Sequence, residues 1–238
     1  MKVIILSKTN YKEKDCIYNA ISENEYFSFQ AKGAQDNKSP FVWLNNPMTV
    51  ADIELVEDGR YKHQLLKTAS LVSTPFDGNE DLNYLFAVNA LAGLAKDVLT
   101  DEEKHLVFSD LLEAMQALKN KKDHYMVILI FIARLLKKSG TELEVDQCVF
   151  CGKTSDIVAF SFSDGGFVCR NCLKDDIKRD LSPTQMRLVR YIFKIRDYSC
   201  EKSEVFEKAD KVFVLNKFKE FIDEFLGADV KSLNTLLK

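Results

Sequence analysis

Four of the six cysteines in this chain form two close pairs, Cys148-x-x-Cys151 and Cys169-x-x-Cys172, with 17 residues between the pairs. Two residues between thiols allow both sulfurs of one turn to face the same ion, and the separation of the pairs is typical of structural zinc sites. A closed four-thiolate site leaves no coordination position for water. The pattern therefore predicts a structural zinc ion held by Cys148, Cys151, Cys169 and Cys172.

The residues between the two pairs favour a zinc ribbon. Ile157–Phe162 and Gly166–Val168 are short apolar runs on either side of a Ser-Asp-Gly turn, so they are expected to form a hairpin. An iron–sulfur centre and unmetallated thiols stay open as alternatives, whereas a thioredoxin-type redox pair requires a βαβ context that the surrounding sequence lacks. Cys16 and Cys200, outside the pairs, are expected to be buried apolar residues.

No targeting or membrane segment is apparent in the 238 residues. The longest nearly unbroken apolar run, Tyr125–Leu136, contains Arg134 and is shorter than the roughly 20 residues that a membrane-spanning helix needs. Val3–Leu6 is too short for the core of a signal peptide. We therefore expect a cytoplasmic protein with no membrane partner, in a compartment that disfavours disulfides. The net charge of −3 excludes an overall basic field, so any polyanion site is expected to be local.

The first 75 residues lack a helical period. Short runs rich in β-branched and aromatic residues alternate with polar turns, which predicts strands at Val3–Leu6, Cys16–Ile21, Tyr26–Ala31 and Phe41–Leu44. Their spacing of about ten residues indicates a small barrel or sandwich. Thr49–Val56 and Leu65–Val72 either complete a five-stranded sheet or form helical turns.

The period becomes helical after Pro75. Helices are predicted over about 81–99, from a cap at Thr100 through Leu118, over Tyr125–Leu136 to a stop at Gly140, from a capping box at Ser182, and around Phe218–Phe225 to a stop at Gly227. The predicted fold class is α+β. A β-rich domain spans 1–78, and a helical domain spans 79–238 with the zinc ribbon inserted at about 146–175.

Charge changes sign sharply inside the helical part. Asn79–Leu118 holds eight acidic side chains against two basic ones, and Lys119–Lys138 holds six basic ones against a single acid. Solvated helix ends and a phosphate-facing patch both account for such a run. The three histidines are scattered, and the sequence contains neither a G-x-x-x-x-G-K-S/T loop nor a G-x-G-x-x-G turn. A non-enzymatic protein is therefore expected.

Several local segments occur in the same order in a known family. Tyr11-Lys12-Glu13-Lys14-Asp15 looks like a Y-x-E-x-D segment before a second strand, and Ala31-Lys32-Gly33-Ala34 followed by Lys38-Ser39 looks like an A-K-G-A…S turn. The two cysteine pairs complete the series. Together these segments make nearly the whole chain resemble the RecO family of bacterial recombination mediators.

This resemblance implies an OB fold at the amino terminus that binds single- and double-stranded DNA without sequence preference. The family anneals complementary strands coated by single-strand-binding protein. With its partner RecR it helps to load the recombinase RecA during DNA repair, which also implies association with the nucleoid.

An OB surface holds DNA with lysine or arginine along a groove and with aromatic faces on which bases stack. Lys12, Lys14, Lys32 and Lys38 flank the predicted strands in polar turns and are the first candidates for DNA contact. Lys119, Lys121 and Lys122 extend the track onto the helical domain. Two aromatic pairs serve either as core or as stacking platforms, and these are Phe27 with Phe29 and Phe41 with Trp43.

Three functions remain open from the residues and the resemblance together. The first is a DNA-binding and annealing mediator. The second is a protein–protein adaptor with a structural zinc ribbon and only incidental DNA contact. The third is a metal-dependent nuclease or another enzyme.

Overall fold

The computed structural model of the protein describes residues 1–56, 63–76, 78 and 81–237. Five strands in the first part of the chain close into a barrel in the order β1-β2-β3-β5-β4. They are β1 (Lys2–Tyr11), β2 (Asp15–Ile21), β3 (Tyr26–Ala31), β4 (Val50–Val56) and β5 (Gln64–Ser73). All neighbours are antiparallel except β3 and β5, which pair in parallel through Phe29–Gln64 and Gln30–Leu65. The predicted barrel is confirmed as OB-like, and the two ambiguous segments are strands β4 and β5.

Aromatic residues on the inner face of β2 and β3 fill the barrel. The rings of Tyr18 and Phe29 stack with centroids 5.4 Å apart, and both residues are fully buried. Phe27 packs against the same cluster from the next inward position of β3. These rings therefore belong to the core of the barrel, as the first of the two expectations for Phe27 and Phe29 stated.

The predicted strand at Phe41–Leu44 is wrong. Val42–Asn45 forms a 3-10 helix in which the Leu44 amide donates to the Phe41 carbonyl at 2.9 Å. Leu44 is fully buried in the barrel core, and Phe41 and Trp43 pack against it. Pro40 and Pro47 bracket the run, and proline has no amide to donate to a sheet. The apolar residues of this segment therefore pack into the core of the barrel and do not add a strand to its sheet.

The second part of the chain is helical around one buried helix. Its helices are α1 (Leu82–Asp97), α2 (Phe108–Lys119), α3 (His124–Lys138), α4 (Pro183–Lys194), α5 (Lys208–Leu226) and the short α6 (Leu233–Leu236). From Tyr125 to Ala133 every residue of α3 is buried, and α3 packs against α1, α2, α4 and α5. The prediction of a central helix is confirmed. Among the described residues no helix is long and apolar enough to cross a membrane.

Most predicted helix ends are confirmed. The Ser182 amide donates to the Gln185 side chain at 2.9 Å, and the Gln185 amide donates to the Ser182 hydroxyl at 3.3 Å, so the capping box is complete. Gly140 and Gly227 follow α3 and α5 with φ of +73° and +66°, conformations that glycine adopts without strain.

The predicted helix start at Thr100 is wrong, because α2 begins only at Phe108. The Thr100 hydroxyl donates to the Glu103 carboxylate at 2.9 Å, and a 3-10 helix at Lys104–Val107 follows. Lys104 is buried with its ammonium 4.3 Å from the centre of the Tyr26 ring on β3. This contact with the barrel holds the segment away from the axis of α2.

The barrel and the helices share a continuous apolar core. Ile4, Leu6 and Ile21 on the barrel belong to the same buried cluster as α1 and α3. This packing fixes the barrel against the helical part. The predicted boundary between 78 and 79 involves Asn79, which lies outside the described residues.

Candidate metal centre and nucleic-acid interface

The ribbon is a hairpin of β6 (Ile157–Ser161) and β7 (Gly166–Cys169), which confirms the predicted hairpin. The chain before the first cysteine pair adds a bridge to it, because the Glu144 amide donates to Gly165 at 2.8 Å and the Phe167 amide donates to Glu144 at 3.0 Å. A Cβ atom on Gly166 would lie 2.2 Å from the Glu144 carbonyl oxygen. Glycine at 166 therefore allows this close approach of two backbones.

Each cysteine pair lies in a tight hydrogen-bonded turn. The Gly152 amide donates to the Cys148 carbonyl at 2.9 Å, and the amides of Cys172 and Leu173 donate to the Cys169 carbonyl at 3.1 and 3.0 Å. Gly152 has a φ of +72°, which closes the first turn. The turn also directs the amides of Phe150 and Cys151 toward the Cys148 sulfur.

The two turns bring the four cysteine sulfurs together. Their Sγ atoms all lie within 4.8 Å of one another, and the Sγ atoms of Cys151 and Cys169 are 3.7 Å apart. A tetrahedron with zinc–sulfur bonds of about 2.3 Å has edges of about 3.8 Å. All six cysteines are free thiols. The sulfur arrangement thus fits a tetrahedral metal ion, and the four predicted ligands, Cys148, Cys151, Cys169 and Cys172, form one group.

The thiols have unequal proton affinities. Burial raises the pKa of the Cys148 thiol, but hydrogen bonds from the amides of Cys169, Phe150 and Cys151 outweigh it and lower the pKa below its ordinary value. Hydrogen bonding to the Cys151 sulfur, followed by burial, raises the pKa of Cys172. The Cys148 sulfur is thus prepared to carry negative charge, whereas Cys172 favours its protonated thiol. A cation among the four sulfurs stabilises the thiolate form.

One face of the ribbon packs on the metal-binding turns and the other on the helical core. Ala159 and Val168 are buried with Cys148 and Cys169. On the opposite face the rings of Phe162 and Phe218 meet edge to face at 5.4 Å. The ribbon is therefore anchored to α5, and Cys151 is its exposed cysteine.

Four of the predicted DNA-contact lysines lie in two neighbouring turns, and we call Lys12, Lys14, Lys32 and Lys38 the rim lysines. Gln35 joins the turns, because its backbone amide donates to the Lys14 carbonyl at 2.9 Å and its side chain donates to the Asp15 carbonyl at 2.7 Å. All four rim lysines are exposed. The turn from β1 to β2 and the loop after β3 therefore place them on one edge of the barrel.

The carboxylate of Asp15 makes a second link between the same turns. Its Oδ1 accepts from the Gly33 amide at 3.0 Å, and its Oδ2 accepts from the Gln30 side chain at 2.7 Å. Sequence reasoning proposed the lysines as DNA contacts but did not predict that Gln35 and Asp15 link the two turns. Asp15 closes the Y-x-E-x-D segment, and Gln35 has no sequence signal beyond a polar side chain next to a basic turn.

The other three candidates, which we call the connection lysines, are Lys119, Lys121 and Lys122. Lys119 ends α2, Lys121 and Lys122 lie in the connection from α2 to α3, and all three are exposed. They line a groove of about 650 Å³ whose walls come from the end of β5 and the first turns of α1 and α3, and we call it the α1–α3 groove. The described residues lining it are Thr74, Pro75, Asp81, Asn83, Tyr84, Leu118, Lys119, Lys121, Lys122 and His124.

The two lysine groups lie toward opposite ends of β1. Thr74 follows Ser73, which pairs with Val50 on β4, and Val50 pairs with Ile4 on β1. From Ile4 to Tyr11, the residue before Lys12, the strand advances seven residues or about 23 Å. That length corresponds to about seven phosphates along one strand of a duplex.

Of the three histidines, His124 lies in the α1–α3 groove. Burial lowers its pKa, and the nearby carboxylates of Asp123 and Asp81 oppose that effect. The Nε2 atom is buried and has no hydrogen-bond partner among the described residues. Sequence reasoning treated this histidine as an ordinary one, because a groove made by three separate segments has no local sequence pattern.

Fold and site together define a class of protein, in which an OB-like barrel is joined to a helical region that carries a four-cysteine ribbon. A family model described as Recombination protein O C terminal matches residues 79–233. The chain therefore belongs to the recombination protein O family.

Curated relatives match over almost the full chain. A protein named DNA repair protein RecO from Bacillus pumilus (strain SAFR-032) is 28% identical over 233 residues, covering 96% of this chain and 90% of the relative. A protein of the same name from Caldanaerobacter subterraneus subsp. tengcongensis is 25% identical and covers 100% and 96%. A third, from Thermoanaerobacter sp. (strain X514), is 26% identical and covers 97% and 90%.

Proposed function

We propose that this protein is a non-enzymatic DNA-binding mediator of recombination and repair, which anneals complementary single strands. The relatives are named DNA repair proteins, and the family model is named for recombination. The observation that carries the proposal is the placement of the four rim lysines on one edge of an OB-like barrel by Gln35 and Asp15. Ammonium groups on such an edge neutralise phosphates without reading sequence.

Annealing requires a surface that binds two backbones and then releases them. Base pairing supplies the free energy, so the protein contributes by lowering phosphate repulsion and raising the local concentration of strands. Exposed lysines suit this task because their contacts with phosphates are individually weak and salt-sensitive. No hydrolytic step is needed, and we propose none.

We propose zinc as the ion of the four-cysteine group, with Cys148, Cys151, Cys169 and Cys172 as its ligands. A closed thiolate site of this kind contributes about 10–16 kcal/mol of apparent folding free energy. That energy orders a ribbon whose own core consists of a few small side chains. The metal thus acts as scaffolding, and DNA contact belongs to the lysine surfaces.

We also propose that residues 1–78 and 79–238 act as two domains with distinct tasks, the ribbon at about 146–175 being part of the second. Within this scheme the barrel binds DNA first, and the connection lysines extend the contact. RecR, single-strand-binding protein and, indirectly, RecA are the proposed protein partners, with both single- and double-stranded DNA as ligands. We propose a cytoplasmic location at the nucleoid.

DNA binding is tested by fluorescence anisotropy of a labelled single strand at several salt concentrations. We expect binding whose log affinity falls linearly with log salt, by about 0.7 per phosphate neutralised on a single strand. Changing all four rim lysines to glutamate should weaken binding at least 30-fold. A matched variant with Lys96, Lys178, Lys202 and Lys231 changed to glutamate has the same net charge and should bind nearly as the wild type. Equal losses in both variants, or no binding by the wild type at low salt, would contradict the proposal.

A protein–protein adaptor is the second candidate, and a groove of about 510 Å³ between α3 and α4 favours it. Ala133, Ile192 and Phe193 give this groove an apolar lining. Lys137, Lys194 and Arg196 also line it, so the groove suits an acidic peptide that carries an apolar side chain. An adaptor would keep full activity after charge reversal of the rim lysines, and this result separates it from the mediator.

A further inference from the structure

The α1–α3 groove combines cationic and apolar lining. Lys119, Lys121 and Lys122 are exposed on it and have no ion-pair partner among the described residues. Among those residues the lining carboxylate is Asp81, which accepts the Tyr84 amide at 2.9 Å as the cap of α1. Pro75, Leu118 and Tyr84 supply the apolar lining. The volume of about 650 Å³ is in the range of small-ligand sites, and the mainly polar lining suits a charged, hydrogen-bonding ligand.

The backbone at Lys121 is a second, independent feature. The Lys122 amide donates to Ala117 at 3.1 Å and the Lys121 amide donates to Leu118 at 2.9 Å, which is a Schellman motif at the end of α2. Lys121 holds the left-handed position with a φ of +56°. Glycine or asparagine is preferred there, because a Cβ atom makes the conformation unfavourable. The chain thus accepts strain at a lysine that lines both the α1–α3 groove and a neighbouring pocket beside Ser199 and Glu204.

His124 adds an unused polar atom. It lines the groove, and its Nε2 is buried without a hydrogen-bond partner among the described residues. Its other neighbours are already engaged, since Asp123 binds Lys211 at 2.6 Å and Ser203 at 2.7 Å. Because Nε2 has almost no accessible surface, the imidazole must rotate before a hydrogen-bonding oxygen or nitrogen of a ligand in the groove satisfies this atom.

We propose that the α1–α3 groove holds one unpaired nucleotide of a DNA strand, with its phosphate on Lys121 and Lys122 and its base against Tyr84 and Pro75. The inference rests on the proposed DNA binding and deepens it. A nucleotide in a duplex is stacked and paired, so its base does not reach the walls of a groove. The groove therefore selects single strands, whereas the exposed rim lysines contact phosphates of either form.

Lys121→Gly is a sharp test because glycine suits the left-handed backbone and the substitution removes only the side chain. Lys12→Gly is its matched control, since Lys12 has a φ of +53° in the turn from β1 to β2. In full-length protein at low salt, Lys121→Gly should bind a thymidine 20-mer about five-fold more weakly, with the salt slope reduced by about 0.7, the value for one phosphate contact on a single strand. Its affinity for duplex should stay within two-fold of the wild type, and its thermal midpoint should not fall. Lys12→Gly should weaken single-strand and duplex binding alike.

The base contact is tested with strands carrying one 2-aminopurine, whose emission rises when it leaves the stack. Wild type and Lys12→Gly should raise the emission at saturation, and Lys121→Gly should raise it less. Unchanged single-strand affinity and emission with Lys121→Gly would overturn the groove proposal while leaving DNA binding intact. Equal losses on single strand and duplex would also overturn it, because the groove would then be part of a general phosphate track. Absence of any DNA binding by the wild type would overturn the proposed function itself.

Discussion

The side-chain amide of Gln35 donates to the backbone carbonyl of Asp15 at 2.7 Å and joins the loop after β3 to the turn between β1 and β2. The same amide donates to the Lys12 carbonyl at 3.3 Å, so one uncharged residue orients both basic turns. The position of the lysines on this edge of the barrel therefore depends on the uncharged Gln35. A substitution of Gln35 tests this role without altering any lysine.

Gln35→Ala should leave the barrel folded but release the two turns from each other. We expect a loss of about 1–2 kcal/mol in the free energy of unfolding, since two hydrogen bonds to carbonyls disappear. Single-strand affinity should fall three- to ten-fold although every lysine remains. Anisotropy titrations and chemical denaturation measure the two effects. Asn37→Ala, at an exposed position in the same loop, is the control, and an equal loss of affinity there would refute the role of Gln35.

Gly166→Ala should disrupt the ribbon. The new Cβ would lie 2.2 Å from the Glu144 carbonyl oxygen, and the backbone there has a φ of +152°. Gly165→Ala is a matched control, because a Cβ at that position meets no atom within 4 Å, although its φ of +84° is also unfavourable. We expect Gly166→Ala to lose metal and become protease-sensitive over 146–175, and Gly165→Ala to lose only about 1 kcal/mol of stability. Similar behaviour of both variants would show that the Glu144 contact is unimportant.

Removal of the metal should loosen the ribbon and spare the barrel. Cys148→Ser, or treatment with a chelator, should lower the zinc content and increase proteolysis between the cysteine pairs. Single-strand affinity should change less than two-fold, since the rim lysines lie in the turn from β1 to β2 and in the loop after β3, away from the ribbon. Atomic absorption and anisotropy test the division of labour. A folded variant without zinc that has also lost all DNA binding would contradict it.

The ion pair between the partly buried Asp123 and the buried Lys211 predicts a pH-dependent stability. Burial raises the pKa of Asp123, but hydrogen bonds from Lys211 and Ser203 and the Met126 amide outweigh it and lower the pKa below its ordinary value. The stabilisation is therefore fully present above the unfolded pKa of about 3.9 and is lost as pH falls through the lower folded value. Asp123→Asn should cost about 3 kcal/mol at pH 7, because Lys211 stays buried without its partner.

Chemical denaturation of the wild type and Asp123→Asn at several pH values measures this contribution to the free energy of unfolding. The difference in the free energy of unfolding between the wild type and Asp123→Asn should become smaller below a pH of about 4, because the wild-type carboxylate becomes protonated. Asp229→Asn, at an exposed position, should follow the wild type throughout. A gap that is constant from pH 7 to pH 3 would show that the ion pair does not stabilise the fold.

The sequence predicted those features that depend on local pattern. Alternating apolar residues located β1, β2 and β3, the Ser182 capping box started α4, and the cysteine spacing gathered four sulfurs. Each of these features depends on interactions between residues that are close in sequence, within one strand, one helical turn or one cysteine pair. They could therefore be predicted without knowing how the rest of the chain folds.

The features that sequence missed depend on distant partners. Phe41–Leu44 has the composition of a strand, but its apolar side chains pack into the core of the barrel from a 3-10 helix. Thr100 has the pattern of a helix cap, but Lys104 contacts the Tyr26 ring on β3, and α2 begins only at Phe108. The α1–α3 groove forms from β5, α1 and the connection lysines, which are far apart in the chain. Tertiary packing decided these cases over local propensity.

The most direct test of the account is the annealing rate of complementary strands precoated with single-strand-binding protein. The account predicts that the wild type accelerates annealing and that Cys148→Ser retains most of this activity. Charge reversal at Lys12, Lys14, Lys32 and Lys38 should remove the acceleration while zinc content and fold stay intact. Full annealing by the charge-reversed protein would show that the lysine edge of the barrel is not the working surface.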